Sequence, residues 1–312
     1  MRYPSLTAAV NSSINTAAQA AKFYPKKEIK HISMSSPSAS IPAFYFDADD
    51  LKPFLDSFKS LYNNAPPFPH TVMENFLPGW VIDKLLEEFP DPDKIVWQQF
   101  NAPTENKKLA SSREESFGPF TRHVMAQFNS AVFLDFLKNL TGIEGLIGDP
   151  YFLGGGMHQI QKGGFLKVHT DFNKHLGLNL ERRLNLLVYL NKDWKEEYGG
   201  HLELWNKEMT VYAKQILPEA NRCVIFSTTR FSYHGHPNPL TCPDGRTRKS
   251  LALYYYTVAR PQDEDYGAHG TLFLKRPNEK WTYVRNFLAR CVPPIFYDIV
   301  IQLEKKFKAR KK

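Results

Sequence analysis

His169 and Asp171 are two side chains that could share one cation, and only Thr170 separates them. Residues two apart on an extended strand face the same side, so this imidazole and this carboxylate can be presented together to a metal ion. A second imidazole from a distant strand would complete a facial set of two nitrogens and one carboxylate. That set leaves positions open for a co-substrate and O2, as Fe(II) oxygen chemistry requires. His234, in SYHGHP just after the apolar run CVIFS, is the preferred second imidazole. His236 is the alternative, and strand register decides between the two; Gly235 and Pro237 are expected to end the strand and steer His236 outward. HxD alone is a weak signal, because such triplets arise by chance on surface strands. A structural zinc site would close four positions, commonly with thiolates, and Cys223, Cys242 and Cys291 all lie far from these residues in sequence.

Arg248 is the third piece. A dicarboxylate that chelates the metal through a keto acid end needs its far carboxylate neutralised, and a guanidinium supplies a two-pronged fork for it. Ser250, two residues on and on the same strand face, can add a hydroxyl donor; a serine satisfied within the core accounts for it equally well. Arg246 is the substitute for Arg248 as the anchor. His158, His175 and His201 read as structural, and Arg182, Arg183 and Trp205 as surface or core residues rather than the lining of a mouth.

The elements that must position these groups follow from periodicity. Asp47 to Asn63 reads as a helix with Leu51, Phe54, Leu55, Phe58 and Leu61 on one stripe, ended by PPFP at Pro66 to Pro69. Pro78 to Phe89 and Phe117 to Leu140 read as two more helices with a polar loop between them. From about Ile147 the texture turns to short β-rich runs: Tyr151 to Leu153, His158 to Gln161, Leu166 to Thr170, Leu184 to Leu190, His201 to Trp205, Arg222 to Ser227 and Leu251 to Thr257. The glycines at Gly154 to Gly156 and Gly163-Gly164 read as tight turns between strands; no GK[ST] makes a phosphate loop of them. Such a series after a helical lead-in predicts a mainly β fold with flanking helices, a jelly-roll barrel. The expected organisation is a leader and linker over 1–43, a helical lead-in over 44–145, the barrel core over 146–260, and a C-terminal extension over 261–312 whose last helix starts near Pro294.

Composition narrows the function. Of the net charge of +8, six positive charges sit in the last eight residues, so the remainder carries only +2. No nucleic-acid partner is expected from so balanced a body. No apolar run reaches the 18 or more residues of a membrane span. Three scattered cysteines fit a reducing compartment, so a cytoplasmic protein is expected, with the acid-free first 27 residues more a leader than an organelle signal. A zinc nucleobase deaminase would need a PCxxC after His201-Leu-Glu203, and none follows.

The ordered string QKGGFLKVHTD, RRLNLLVYLN, GGHLELW, HGHPNPL and RTRKSLALYYY resembles the 2-oxoglutarate/Fe(II) oxygenases of the prolyl 4-hydroxylase-like group, over roughly Tyr151 to Thr257. The resemblance implies a double-stranded β-helix, iron ligands at His169, Asp171 and His234, and Arg248 as the holder of the 2-oxoglutarate tail. It implies Fe(II) as cofactor, 2-oxoglutarate as co-substrate, ascorbate as a candidate reductant, and hydroxylation of a C–H bond, with a prolyl residue of a protein or peptide as substrate. A free amino acid or natural-product precursor is the alternative substrate, and a ligand-binding barrel without catalysis the alternative function. One departure is the inserted PNPLTCPDG before the basic residue, which is what brings Arg246 into consideration; a second is His236. Because Asp171 is present rather than a small residue, the resemblance favours hydroxylation over halogenation.

Overall fold

The computed structural model describes residues 43–175, 177–265, 267–277 and 279, and the elements given below are those of the described residues. Helix α1, Ala48–Tyr62, begins where Asp47 stays extended and its side chain accepts from the Asp49 N–H at 2.8 Å, meeting one orphan donor of the first turn. Leu51 is buried and Phe54, Leu55 and Phe58 pack on the core, but Leu61, expected on that stripe, is exposed. Strand β1 is His70–Met73 and helix α2 is Gly79–Glu88, close to its expected span.

The stretch expected as a polar loop is a hairpin, β2 Gln98–Ala102 and β3 Glu105–Ser111. No residue of β2 is fully buried, so its sequence carries no apolar alternation to announce it; its pairing with β3, and that of β3 with β5, make it a strand. The single helix expected from Phe117 to Leu140 is two, α3 Pro119–Gln127 and α4 Ala131–Thr141. Ser130 takes an extended conformation and its hydroxyl accepts from the Phe133 N–H, which restarts the helix in a new direction without interrupting its apolar spacing.

Strand β4 is only Ile147–Gly148, and the strand expected at Tyr151 to Leu153 is instead a turn folded around Asp149, whose carboxylate accepts from the Tyr151 and Leu153 N–H groups. Then follow β5 Gly156–Thr170, β6 Lys174–His175, β7 Leu180–Tyr189, β8 Leu202–Trp205, β9 Tyr212–Ile216, β10 Cys223–Ser227, β11 Tyr233–His236, β12 Thr247–Thr257 and β13 Leu272–Phe273. Four of these, β6, β9, β11 and β13, lie outside the β-rich runs read from the sequence, as do β1 and β4. The thirteen strands form one antiparallel sheet whose main path runs β1-β10-β7-β12-β5-β11-β8-β9, curled as a jelly roll. The helix expected near Pro294 lies outside the described residues.

Two apolar layers explain why β7 and β10 are continuously hydrophobic. Leu184, Leu186, Val188, Ile225, Leu251, Leu253 and Tyr255 belong to one core cluster with the helices, while Tyr189, Leu202, Leu204, Val224 and Phe226 form a second cluster inside the curl. The interior residues of β7 and β12 therefore alternate with helix-facing ones: Asn185, Leu187 and Tyr189 stand beside Tyr254, Ala252 and Ser250.

The two strands expected at His158 to Gln161 and Leu166 to Thr170 are one bent strand. Its first half pairs with β12 and its second half with β11, so β5 carries the chain from one side of the curl to the other. Gly163-Gly164, expected as a turn between strands, is the bulge at the bend. Gly163 has φ +78°, its N–H donates to the Leu240 carbonyl, and the Gly164 carbonyl accepts from the Leu240 N–H. A Cβ on Gly164 would lie 2.6 Å from Ile160 Cγ2 and 2.8 Å from the carbonyl oxygens of Asn106 and Gln161. Gly164→Ala is expected to lose about 1–3 kcal/mol in urea unfolding, as overpacked sites do. Gly79→Ala, where a Cβ meets nothing within 4 Å, is the control and should hold its midpoint.

Candidate active site

His169 and His234 are direct cross-strand partners in the β5–β11 pair, with ring centroids 4.4 Å apart, and Asp171 is the first residue beyond β5. The ring orientations are set by the backbone. His169 Nδ1 bonds the Lys167 carbonyl at 2.8 Å and His234 Nδ1 bonds the Ser232 carbonyl at 2.9 Å. A carbonyl only accepts, so each Nδ1 carries the proton and each Nε2 is left with its lone pair. Those lone pairs meet Asp171: His169 Nε2 is 3.5 Å from Oδ1 and His234 Nε2 is 3.4 Å from Oδ2. All three residues are buried, and one ligand atom from each lies within 4.8 Å of the others. Burial, with His169 beside it, pushes the His234 imidazole down to about 4.

Behind Asp171 stands a network that was not legible in the sequence. Oδ2 accepts from Asn185 Nδ2 at 2.6 Å and from Arg182 Nη2 at 3.1 Å, while Asn185 Oδ1 accepts from Arg182 Nε at 2.9 Å. Arg182 is 0% exposed, and its guanidinium lies between two rings, 3.4 Å from the Tyr254 centroid and 4.4 Å from that of Phe172. Burial raises the Asp171 carboxyl, but Arg182 and the two imidazoles outweigh it and hold the group well below the usual carboxylate range. Asp171 is thus an anion held in place and turned toward the two Nε2 atoms.

A second buried cation lies on the inner face of β12. Arg248 is 5% exposed; its Nε donates to the Gly200 carbonyl at 2.7 Å and its Nη2 to the Tyr189 hydroxyl at 3.1 Å. Among the described residues no carboxylate pairs with it. Gly200 has φ +75°, and a Cβ there would come 3.0 Å from Arg248 Cδ, so the close approach needs glycine. Ser250 is buried on the same face, opposite Tyr189. Arg246 is turned away: its Nη2 donates to the Lys192 carbonyl and it lies by the Trp194 and Tyr198 rings.

His236 departs from expectation. It is 3% exposed on the same strand face as His234, because β11 runs on through Gly235 to His236 before it ends. Other candidates have structural partners: His175 Nδ1 accepts from the Leu178 N–H at 3.1 Å, His201 bonds Glu196 at 2.6 Å, Arg183 pairs with Glu264 at 3.3 Å, and the Trp205 Nε1–H donates to Glu203 at 2.8 Å. A polar amide at Asn185, alone within LNLLVYL, was the available signal for the network on Asp171.

Residues 155–256 match the family model of the 2OG-Fe(II) oxygenase superfamily, a span that runs through β5 to β12 and holds His169, Asp171, Arg182, Asn185, His234, His236 and Arg248. The match spans about a third of the chain, and over that segment the resemblance to 2-oxoglutarate/Fe(II) oxygenases read from the sequence holds. No curated protein matches it at a significant level. Among solved structures it is similar to a Pseudomonas putida prolyl-4-hydroxylase, at 16% identity and TM-score 0.46 over 66% of this chain and 98% of that one. It is similar to a Trichoplax adhaerens prolyl hydroxylase in complex with a hypoxia inducible factor peptide, at 17% identity and TM-score 0.45 over 67% and 90%. It is similar also to HygX of Streptomyces hygroscopicus with nickel, 2-oxoglutarate and hygromycin B bound, at 13% identity and TM-score 0.43 over 74% and 98%.

Removing the cation that holds Asp171 leaves a buried carboxylate with an amide as its remaining donor. Arg182→Met, which keeps an apolar stem between the two rings, is expected to destabilise the metal-free protein by about 3–5 kcal/mol in urea unfolding. A loss under about 1 kcal/mol would mean that solvent, not Arg182, meets that charge.

Proposed function

We propose that His169, Asp171 and His234 hold Fe(II), that Arg248 with Tyr189 holds the far carboxylate of 2-oxoglutarate, and that the protein hydroxylates a C–H bond. One observation carries this reading: two bare Nε2 atoms and a fixed carboxylate converge at one end, while a buried guanidinium that no acid among the described residues pairs lies on the same interior. The donor set fits the metal, and Arg248 fits the dicarboxylate.

When bound, iron and 2-oxoglutarate together supply the O2-dependent oxidant, and the chain's part is to orient and to exclude water. The Lys167 and Ser232 carbonyls keep both imidazoles in the ligating tautomer. Arg182 and Asn185 occupy one Asp171 oxygen, which leaves the other free for the metal. Phe226 packs against the His234 ring at 4.7 Å and shields the site from the apolar side. Asp171 supplies a carboxylate where a halide would need an open position, so the reading is hydroxylation. The substrate we favour is a prolyl residue of a protein or peptide, on the sequence resemblance of the β5, β7, β8, β11 and β12 segments; a free amino acid or natural-product precursor is the alternative. Ascorbate as an auxiliary reductant rests on that resemblance alone.

Anaerobic titration with Fe(II) and 2-oxoglutarate tests the reading. Wild-type protein is expected to develop the weak visible charge-transfer band of the chelate, and Arg248→Ala to require at least about tenfold more 2-oxoglutarate for it, as loss of a charge-assisted pair does. Asp171→Gly should consume no 2-oxoglutarate. Absence of the band in wild type under all conditions would leave a ligand-binding barrel instead of an enzyme.

A further inference from the structure

His236 is an enclosed imidazole with nothing to bond. Among the described residues neither Nδ1 nor Nε2 has a hydrogen-bond partner, although both are shut off from solvent. A neutral imidazole carries one N–H and one lone pair, and burying both unmet costs free energy that a settled core avoids. The ring has little freedom to escape. A Cβ at Gly235 would meet the Leu166 and Lys167 carbonyl oxygens at 2.9 Å, so β11 lies hard against β5, and His236 cannot turn out without lifting that strand. Nor does His236 join the metal-binding trio, which closes on His234.

His236 lies opposite Leu166, and Arg248 and Lys108 both lie opposite Ile160, on either side of the β5 bend; burial weighs most on the ring, and Arg248 is the leading charge that acts on it, followed by Lys108. Lys108 already has a carboxylate, Glu105, at 3.3 Å. Arg248 has only the neutral oxygens of Gly200 and Tyr189. Two buried side chains near one another, a cation without an anion and a ring without a partner, define a place for a ligand that accepts hydrogen bonds from both. A carboxylate has two oxygens for that purpose.

We propose that His236 is a second anchor for the far carboxylate of 2-oxoglutarate, donating a ring N–H to it beside Arg248. This rests on the reading under Proposed function and adds a specificity residue to it. His236 then discriminates a five-carbon keto diacid from a keto monoacid of similar length.

The test compares 2-oxoglutarate with 2-oxobutanoate, which keeps the keto acid and lacks the second carboxylate, by the anaerobic chelate band on the Fe(II)-loaded full chain. His236→Leu is expected to weaken 2-oxoglutarate about tenfold and 2-oxobutanoate less than about twofold, and His236→Gln, which retains an N–H donor, to recover part of the loss. Equal affinity for 2-oxoglutarate in wild type and His236→Leu, or an equal loss for both keto acids, overturns the role of His236 while leaving the function intact. Wild type that binds no 2-oxoglutarate overturns the function itself, and His236 with it. Should His236→Leu not fold, ring-15N-labelled wild type loaded with Zn(II) decides. A His236 ring nitrogen that moves on adding 2-oxoglutarate and stays put with 2-oxobutanoate supports the anchor, and one that answers both alike or neither sinks it.

Discussion

The cross-strand pairing of His234 with His169 is the constraint on which the site depends. Side chains on a strand alternate faces, so a slip of one residue in β11 would turn His234 out and bring Gly235 inward. The register is held from several sides. Gly235 allows backbone contact with β5, β8 covers the other edge of β11, and each imidazole bonds the carbonyl two residues before it. The bend at Gly163-Gly164 is part of the same constraint, since it delivers the second half of β5 to β11 after the first half has paired with β12.

Charge is distributed sparingly around this pairing. Among the described residues two arginines, Arg182 and Arg248, are classed as buried, and their fates differ. Arg182 is matched by Asp171 and enclosed by Phe172 and Tyr254, which makes it part of the folded framework. Arg248 is matched only by neutral oxygens, and a guanidinium left so in a buried setting is a demand for an anion. The two residues have the same chemistry, and their partners alone separate a structural cation from one that waits for a ligand. His236 belongs with the second kind.

Local pattern made much of the architecture legible. Asp47 and the apolar stripe behind it marked α1, the glycine and proline punctuation marked α2, and the runs LNLLVYL, CVIFS and SLALYYY marked the strands buried on both faces. Where packing rather than pattern decides, local pattern misleads. The β2–β3 hairpin is polar and half exposed, β9 has four exposed residues in five, and the break at Ser130 preserves helical spacing on either side. None of these leaves a periodic trace, because pairing with a neighbour or a capping hydroxyl sets the backbone there.

The sequence by itself determined the chemical parts: HxD on a strand, a histidine after an apolar strand, a basic residue opening the next, and their order along the chain. It determined too that no charge excess marks the body of the protein. Only the tertiary structure decided which of two histidines faces Asp171, that Arg246 is engaged elsewhere, and that His236 points inward. It alone brought Arg182 and Asn185 behind Asp171. The physical reason is that a side chain's type is local, whereas its hydrogen-bond partner and its burial are properties of strands far apart in sequence that meet only when the sheet closes.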